Sequence, residues 1–223
     1  MKLAICNSKN WFHLNDEIVK KYEILNIKNK SDLTLSKLDI FKPDFVFFPH
    51  WHWIVEKEIF TKFTCIVFHT SPLPYGRGGS PIQNLIIKGY KSAPVCAIKM
   101  SDGLDHGPIY NKKSISLQGT LSEILARINF AINDLIKGLI LHLPNPKPQS
   151  GEVVTFKRLG HKNNEIRSDE TYEDIYNKIR MLDEDSYPSA FINLNNVLIE
   201  FSEINNEDGV LLCKAKIKKK EQS

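Results

Sequence analysis

A chain of 223 residues, 42% apolar and 25% charged, is long enough to bury a sizeable core and has the composition of a soluble globular protein. Its net charge of +4 is too mild to mark a nucleic-acid-binding protein, and no apolar stretch reaches the roughly 20 residues of a membrane helix. Met1-Lys2-Leu3-Ala4-Ile5-Cys6 turns polar too soon for a secretory leader, so a cytoplasmic protein with no membrane partner is expected.

Continuous apolar runs at 3–6, 45–48, 64–68 and 95–100 suit strands buried on both faces of a parallel sheet. Between them, residues 16–22, 31–38 and 80–88 fit connecting helices, and 53–60 adds a short one, which is the β-α-β order of a doubly wound fold. Cys6, Cys65, Cys96 and Cys213, each in or beside an apolar run, read as buried thiols rather than a disulfide framework or a zinc site. Thr120 and Glu123 form a capping box ahead of an apolar stripe, Leu121, Ile124, Leu125, Ile128, Ile132, Leu135, Ile136 and Leu139. Pro144, Pro146 and Pro148 end that helix and open a linker. Thr171 then caps a helix with an apolar face of Tyr172, Ile175, Tyr176, Ile179 and Leu182, and strands at 190–194, 197–204 and 210–217 form a meander. Lys214, Lys216, Lys218, Lys219 and Lys220 read as a solvated basic end.

The chemistry concentrates in two loops. In Phe68-His69-Thr70-Ser71-Pro72-Leu73-Pro74-Tyr75-Gly76-Arg77-Gly78-Gly79-Ser80-Pro81, a histidine leaves an apolar run and enters a loop dense in proline and glycine. Ser80-Pro81 then offers an N-cap followed by proline at the first helical position. In an α/β protein this sets a titratable side chain at the carboxyl end of a strand, where such folds collect ligands. The second loop, Met100-Ser101-Asp102-Gly103-Leu104-Asp105-His106-Gly107-Pro108-Ile109, holds two acids and a histidine between glycines that permit a sharp path. If the two strands are neighbours, Asp105 faces His69 and orients it as a general base.

Together the loops resemble the signatures of the folate-dependent N-formyltransferases: His69-Thr70-Ser71-Pro72-Leu73-Pro74 with Arg77-Gly78-Gly79-Ser80-Pro81-Ile82-Gln83, and Gly103-Leu104-Asp105-His106-Gly107. The segment from Ser168 to Tyr187-Pro188 is similar to the opening of that family's C-terminal subdomain. The resemblance implies formyl transfer from N10-formyltetrahydrofolate to an amine, with His69 acting at the amine or the tetrahedral oxyanion and Asp105 supporting it. It assigns Met100, Ser101, Asp102, Gly103, Leu104 and Trp51 to the folate, assigns Arg77, Gly78, Gly79 and His52 to the acceptor, and requires no metal.

One departure stands out. The family's oxyanion asparagine, two residues before the histidine, is Val67 here. Loss of such a donor costs roughly 10²–10³ in rate elsewhere. A backbone N–H of the Thr70–Leu73 loop, the His52 imidazole and the Asn84 amide are the candidate replacements. Pro49-His50-Trp51-His52-Trp53 reads as a pocket wall or as plain packing, Arg77 as partner to an anion or to a structural carboxylate, and His106 as a second titratable group or a bystander.

The expected architecture is an α/β catalytic domain with a Rossmann-like parallel sheet over 1–150, a linker over 151–167, and a small α+β unit over 168–223. The expected acceptor is a nucleotide-linked amino sugar of the nonulosonic type, and no nucleic acid. The reasons are that the C-terminal unit is smaller than the RNA-binding domain of methionyl-tRNA formyltransferases and that no strong basic face is visible. The alternatives are a methionyl-tRNA formyltransferase-like enzyme, suggested by the lysine-rich end, and a catalytically weak folate-binding protein, suggested by Val67. A meander this small leaves edge strands open to a second copy, so a homodimer is an expected arrangement.

Overall fold

The computed structural model describes residues 1–220. In chain order the first elements are β1 (Lys2–Asn7), α1 (Asp16–Lys21), β2 (Glu23–Ile27), α2 (Leu35–Phe41), β3 (Phe45–His50), α3 (Lys57–Lys62) and β4 (Cys65–Thr70). There follow β5 (Tyr75–Gly78), α4 (Pro81–Ile87), β6 (Ser92–Lys99), β7 (Ile109–Ser116) and α5 (Leu121–Leu141). The chain closes with β8 (Val154–Phe156), α6 (Tyr172–Arg180), β9 (Ala190–Leu194), β10 (Val197–Glu207) and β11 (Val210–Lys219).

The main sheet runs β2-β1-β3-β4-β6-β7. The alternation of side chains along each strand divides the core in two. Leu3, Ile5, Phe47 and Phe68 face α4 and α5, while Ala4, Cys6, Val46 and Phe48 face Leu38 of α2 and Ile59 of α3. Helices on both faces explain why these strands read as unbroken apolar runs. The fold is Rossmann-like, as expected, but the sheet is mixed. β2, β1, β3 and β4 are parallel, whereas β6 is antiparallel to β4 and β7 to β6. An apolar run reports burial, not strand direction. β2 and β7 escape the sequence reading because they are edge strands with polar positions, such as Glu23, Asn26, Lys112 and Lys113.

The α5 capping box forms in full: Glu123 N–H donates to Thr120 Oγ1 and Thr120 N–H to Glu123 Oε2. Every residue of the expected α5 stripe is buried. Residues 151–167, expected as connecting chain, carry β8, which pairs in parallel with β5 and so braces the loop after β4. Arg180, buried at the end of α6, donates to the carbonyls of Leu117 and Gly119 at 2.7 and 2.9 Å, docking the C-terminal unit on the main body. Tyr172, expected in the core, is exposed and donates its hydroxyl to Asn206. The meander orders β11-β10-β9. The basic end is strand rather than tail through Lys219, with Lys214 paired to Glu203 and Lys218 to Glu200. Cys6, Cys65 and Cys96 are buried thiols, but Cys213 is exposed on the edge strand β11. Among the described residues no helix is long and apolar enough to cross a membrane.

Candidate active site

β1, β3 and β4 are parallel, so their carboxyl ends open onto one edge of the sheet. Ser8, His50 and His69 stand there. β4 pairs with β3 as far as Val67 and with β6 as far as Thr70, and the pairing of His69 with Cys96 fixes its backbone. The ring lies with Nδ1 3.4 Å from Asp105 Oδ2 and Nε2 2.8 Å from the Gly76 carbonyl oxygen. The shorter contact is a hydrogen bond donated by Nε2–H, a tautomer assigned from its partner. That leaves the Nδ1 lone pair of a neutral ring turned toward the carboxylate. A proton taken up on Nδ1 would be held between nitrogen and carboxylate as a charge-assisted pair. His69 retains 8% and Asp105 10% of their side-chain surface exposed.

The route by which Asp105 arrives differs from the expected one. Because β6 is antiparallel, its loop starts at the far end of β4, where Met100 N–H donates to the Cys65 carbonyl. The loop then doubles back. Gly103 and Asp105 take left-handed φ of +90° and +55°, and at Gly107 a Cβ would lie 1.7 Å from the Lys99 carbonyl oxygen, so no larger residue fits this path. The Asp105 carboxylate accepts from Gly78 N–H at 2.9 Å.

The remaining candidates distribute as follows. Gly78 touches Asp105. Gly79 donates its N–H to the Phe156 carbonyl of β8 and packs against Arg158. Among the described residues Arg77 pairs with no carboxylate: its Nε and one terminal nitrogen donate to Gln149 Oε1 at 3.0 and 2.7 Å. Trp51 packs between Phe48 and Trp53, in the apolar cluster that also takes Val67 and Met100. Ser101 is half-buried, Leu104 is exposed, and Asp102 is tied to Lys57 of α3 at 2.5 Å, so these three do not converge on His69. The His106 ring lies over Gly103. Ser80 does not cap α4. Its φ is +48°, and its hydroxyl instead accepts from Leu159 N–H, tying the loop to the chain after β8.

The Pro49–Trp53 segment is held by Ser8, whose hydroxyl meets Nδ1 of both His50 (3.2 Å) and His52 (2.9 Å). Burial, helped by the nearby Lys9 and His52 charges, pushes His50 down to about 4, so it is neutral at pH 7. Burial and Arg158 also lower His52. Among the described residues no group of three His, Cys, Asp or Glu is arranged to hold a metal.

Val67 is packed among Leu73, Cys96, Ile98 and Ile109 and brings no donor. Of the candidate replacements, Asn84 is committed: its Nδ2 donates to the carbonyls of Gly79, Ser80 and Lys157. His52 Nδ1 is engaged by Ser8, and Leu73 N–H donates to the Ser71 carbonyl. Four buried polar atoms have no partner among the described residues: Asn7 Oδ1, Trp51 Nε1 and Ser71 Oγ, at or just past the carboxyl ends of β1, β3 and β4, and Trp11 Nε1 in the segment after β1. Gln149 and Ser8 are the residues that sequence reasoning missed. The sole local hint of Gln149 is its place at the end of the proline-rich run after α5.

Comparison with known proteins accords with this geometry. A sequence profile described as Formyl transferase matches residues 8–136, and one described as Methionyl-tRNA formyltransferase, C-terminal domain, matches 161–218. The methionyl-tRNA formyltransferase of Thermodesulfovibrio yellowstonii is 34% identical over 165 residues, covering 69% of this chain and 52% of the relative. The chain spans about half the length of the curated relatives it matches. The structure of a methionyl-tRNA formyltransferase from Clostridium thermocellum superposes with a TM-score of 0.93 at 40% identity, covering 99% of this chain and 100% of that one. The formyltransferase PseJ from Anoxybacillus kamchatkensis, solved with UDP-4,6-dideoxy-4-formamido-L-AltNAc and tetrahydrofolate, shares the fold at 18% identity and a TM-score of 0.56, over 70% of this chain and 85% of that one. The two profiles, the identities and the loops that bring His69 to Asp105 agree: the chain belongs to the formyl transferase family.

Proposed function

We propose that this protein transfers a formyl group from N10-formyltetrahydrofolate to a primary amine, and that the amine is that of methionyl-tRNA. The observation that carries the reading is the meeting of His69 and Asp105, brought from separate loops to the open edge of the sheet. In such a transfer a C–N bond to the folate nitrogen breaks and one to the acceptor nitrogen forms. The acceptor gives up a proton and the folate nitrogen gains one. The His69 imidazole handles that proton, and the Asp105 carboxylate holds the ring and balances its charge when it is protonated. General base help of this kind contributes on the order of 10²–10⁴ in rate.

The methionyl-tRNA acceptor is supported by the names of the relatives and by the profile over 161–218. The second reading, a nucleotide-linked amino sugar, draws on the pairing of Lys214 and Lys218 with Glu203 and Glu200, which reduces the positive charge free to meet RNA phosphates. The test incubates the protein and N10-formyltetrahydrofolate with methionyl-tRNA and, separately, with CMP-, UDP- and dTDP-linked amino sugars. Mass spectrometry then looks for one added carbonyl (CO). Formylation of the methionyl group alone is the expected result. Formylation of a sugar alone replaces the acceptor, and folate binding without transfer to any acceptor overturns the enzymatic reading.

A further inference from the structure

We propose that Gln149 is a positioning residue: a single carboxamide that clasps the two site loops and holds Asp105 against His69. Its geometry stands on its own, and its kinetic consequence rests on the formyl-transfer reading.

The carboxamide is saturated. Oε1 accepts from Arg77 Nε and Nη2 at 3.0 and 2.7 Å, and Nε2 donates to the carbonyls of Asp105 and Gly107 at 2.7 and 2.8 Å. Two acceptor and two donor positions are all such a group has. The partners lie 72, 44 and 42 residues away in the chain, so the contact is purely tertiary. One end grips β5, where Arg77 sits beside the Gly76 carbonyl that accepts a hydrogen bond from His69 Nε2–H. The other end grips the doubled-back loop on both sides of His106.

Asp105 is thereby fixed at two points, its carbonyl by Gln149 and its carboxylate by Gly78 N–H. A non-glycine residue at a φ of +55° persists only where its surroundings over-determine it, and these are the surroundings. Gln149 is in turn anchored by its own strand-like segment, since Lys147 and Ile109 exchange N–H···O bonds at 2.8 Å just before it. It falls between the two matched profiles, which end at 136 and resume at 161.

The chemistry admits only an amide. A carboxylate would keep the guanidinium but oppose two carbonyl oxygens, and an apolar group would leave a guanidinium and two carbonyls without partners. Arg77, read from sequence as an acceptor-binding residue, is the guanidinium that this clasp holds.

The test compares Gln149→Glu and Gln149→Ala with wild type and with Asp105→Asn, all in the full chain. It reads thermal stability, the ¹⁵N resonances of the His69 ring, and kcat and KM for formyl transfer. Gln149→Glu retains the Arg77 pairing but sets a carboxylate oxygen against two carbonyls, so a modest loss of stability is expected with the chain still folded. Its His69 ring resonances should nevertheless move toward those of Asp105→Asn, and kcat should fall about 10- to 100-fold with little change in KM, the penalty of a small misplacement. Gln149→Ala should move the resonances the same way, with some loss of stability. If the His69 resonances of the Glu variant superpose on those of wild type, the proposal is overturned. Absence of transfer by wild type would instead defeat the functional reading, and the resonances would still decide the role of Gln149.

Discussion

The strand end that carries His69 and the loop that carries Asp105 hold their side chains by different means. The His69 backbone sits in a ladder, paired to Cys96 of β6, two residues beyond the point where β4 pairs with β3, with Ile66 and Phe68 beside it in the core. Nothing short of breaking the sheet moves it. Asp105 has no ladder. It sits at a left-handed φ, held by Gly78 N–H and the Gln149 amide. Register places the first group, and a handful of long-range hydrogen bonds places the second. Substitutions should therefore remove chemistry at the strand end without moving anything, and displace chemistry at the loop.

The largest effect belongs to the strand side. His69→Ala should lower the single-turnover rate of formyl transfer by about 10³-fold, within the range for a general base, with a loss of stability from the emptied site and the unpaired Gly76 carbonyl but with the sheet intact. Asp105→Asn keeps an oxygen for Gly78 N–H but removes the charge that balances a protonated ring, and a loss of about 10²-fold is expected. Rapid-quench mass spectrometry reads both. A His69→Ala protein with undiminished rate would break the comparison at its root.

On the loop side, Gly107→Ala pushes a methyl group to within 1.7 Å of the Lys99 carbonyl oxygen. The loop must move, and with it the carbonyl that accepts from Gln149. Overpacking of this kind costs about 1–3 kcal/mol. Urea denaturation should show that loss, and transfer should fall with it because Asp105 moves too. A stable Gly107→Ala protein with full activity would mean that the path of the loop does not matter to the site.

The same division explains what was legible in the sequence. β1, β3 and β4 were readable because burial on both faces writes an unbroken apolar run, and His69 was readable because it ends one. The Thr120–Glu123 box and the α5 stripe are local signals, and they formed as read. The direction of β6 was hidden, since parallel and antiparallel partners ask for the same buried residues. Ser80 was misread as a cap because its hydroxyl answers to Leu159, 79 residues away. The Arg77–Gln149 pairing was hidden for the same reason, the glutamine being distant and chemically unremarkable in the sequence.

His50 sharpens the comparison from the strand side. It ends β3 much as His69 ends β4, but burial holds it near 4 whereas the unfolded imidazole titrates near 6.5. Between those values the unfolded chain takes up a proton that the folded chain refuses, so stability should fall as pH drops from 6.5 toward 4. The contribution is fully present above that window. Between pH 7 and pH 5 the loss from this group is about 2 kcal/mol. Urea titrations at the two values should show that difference in wild type relative to His50→Gln, which has no proton to gain. Equal pH dependence in the two proteins would mean that His50 is solvated in solution.

The smallest effect comes from a position that neither arrangement touches. Gly138 lies on the exposed side of α5, one turn from its end, with nothing within 4 Å of where a Cβ would stand. Its φ is not left-handed, so alanine meets neither a clash nor a strained backbone. Glycine in a helix interior costs roughly 0.5–1 kcal/mol relative to alanine, through the entropy of the unfolded chain. Gly138→Ala should therefore raise the unfolding free energy read from urea titration by that amount and leave formyl transfer unchanged. With Gly107→Ala it makes a matched pair, the same added methyl with opposite sign in stability. A Gly138→Ala protein that lost activity would show that the site depends on the outer helix, and that the division between strand-held and loop-held groups is too narrow.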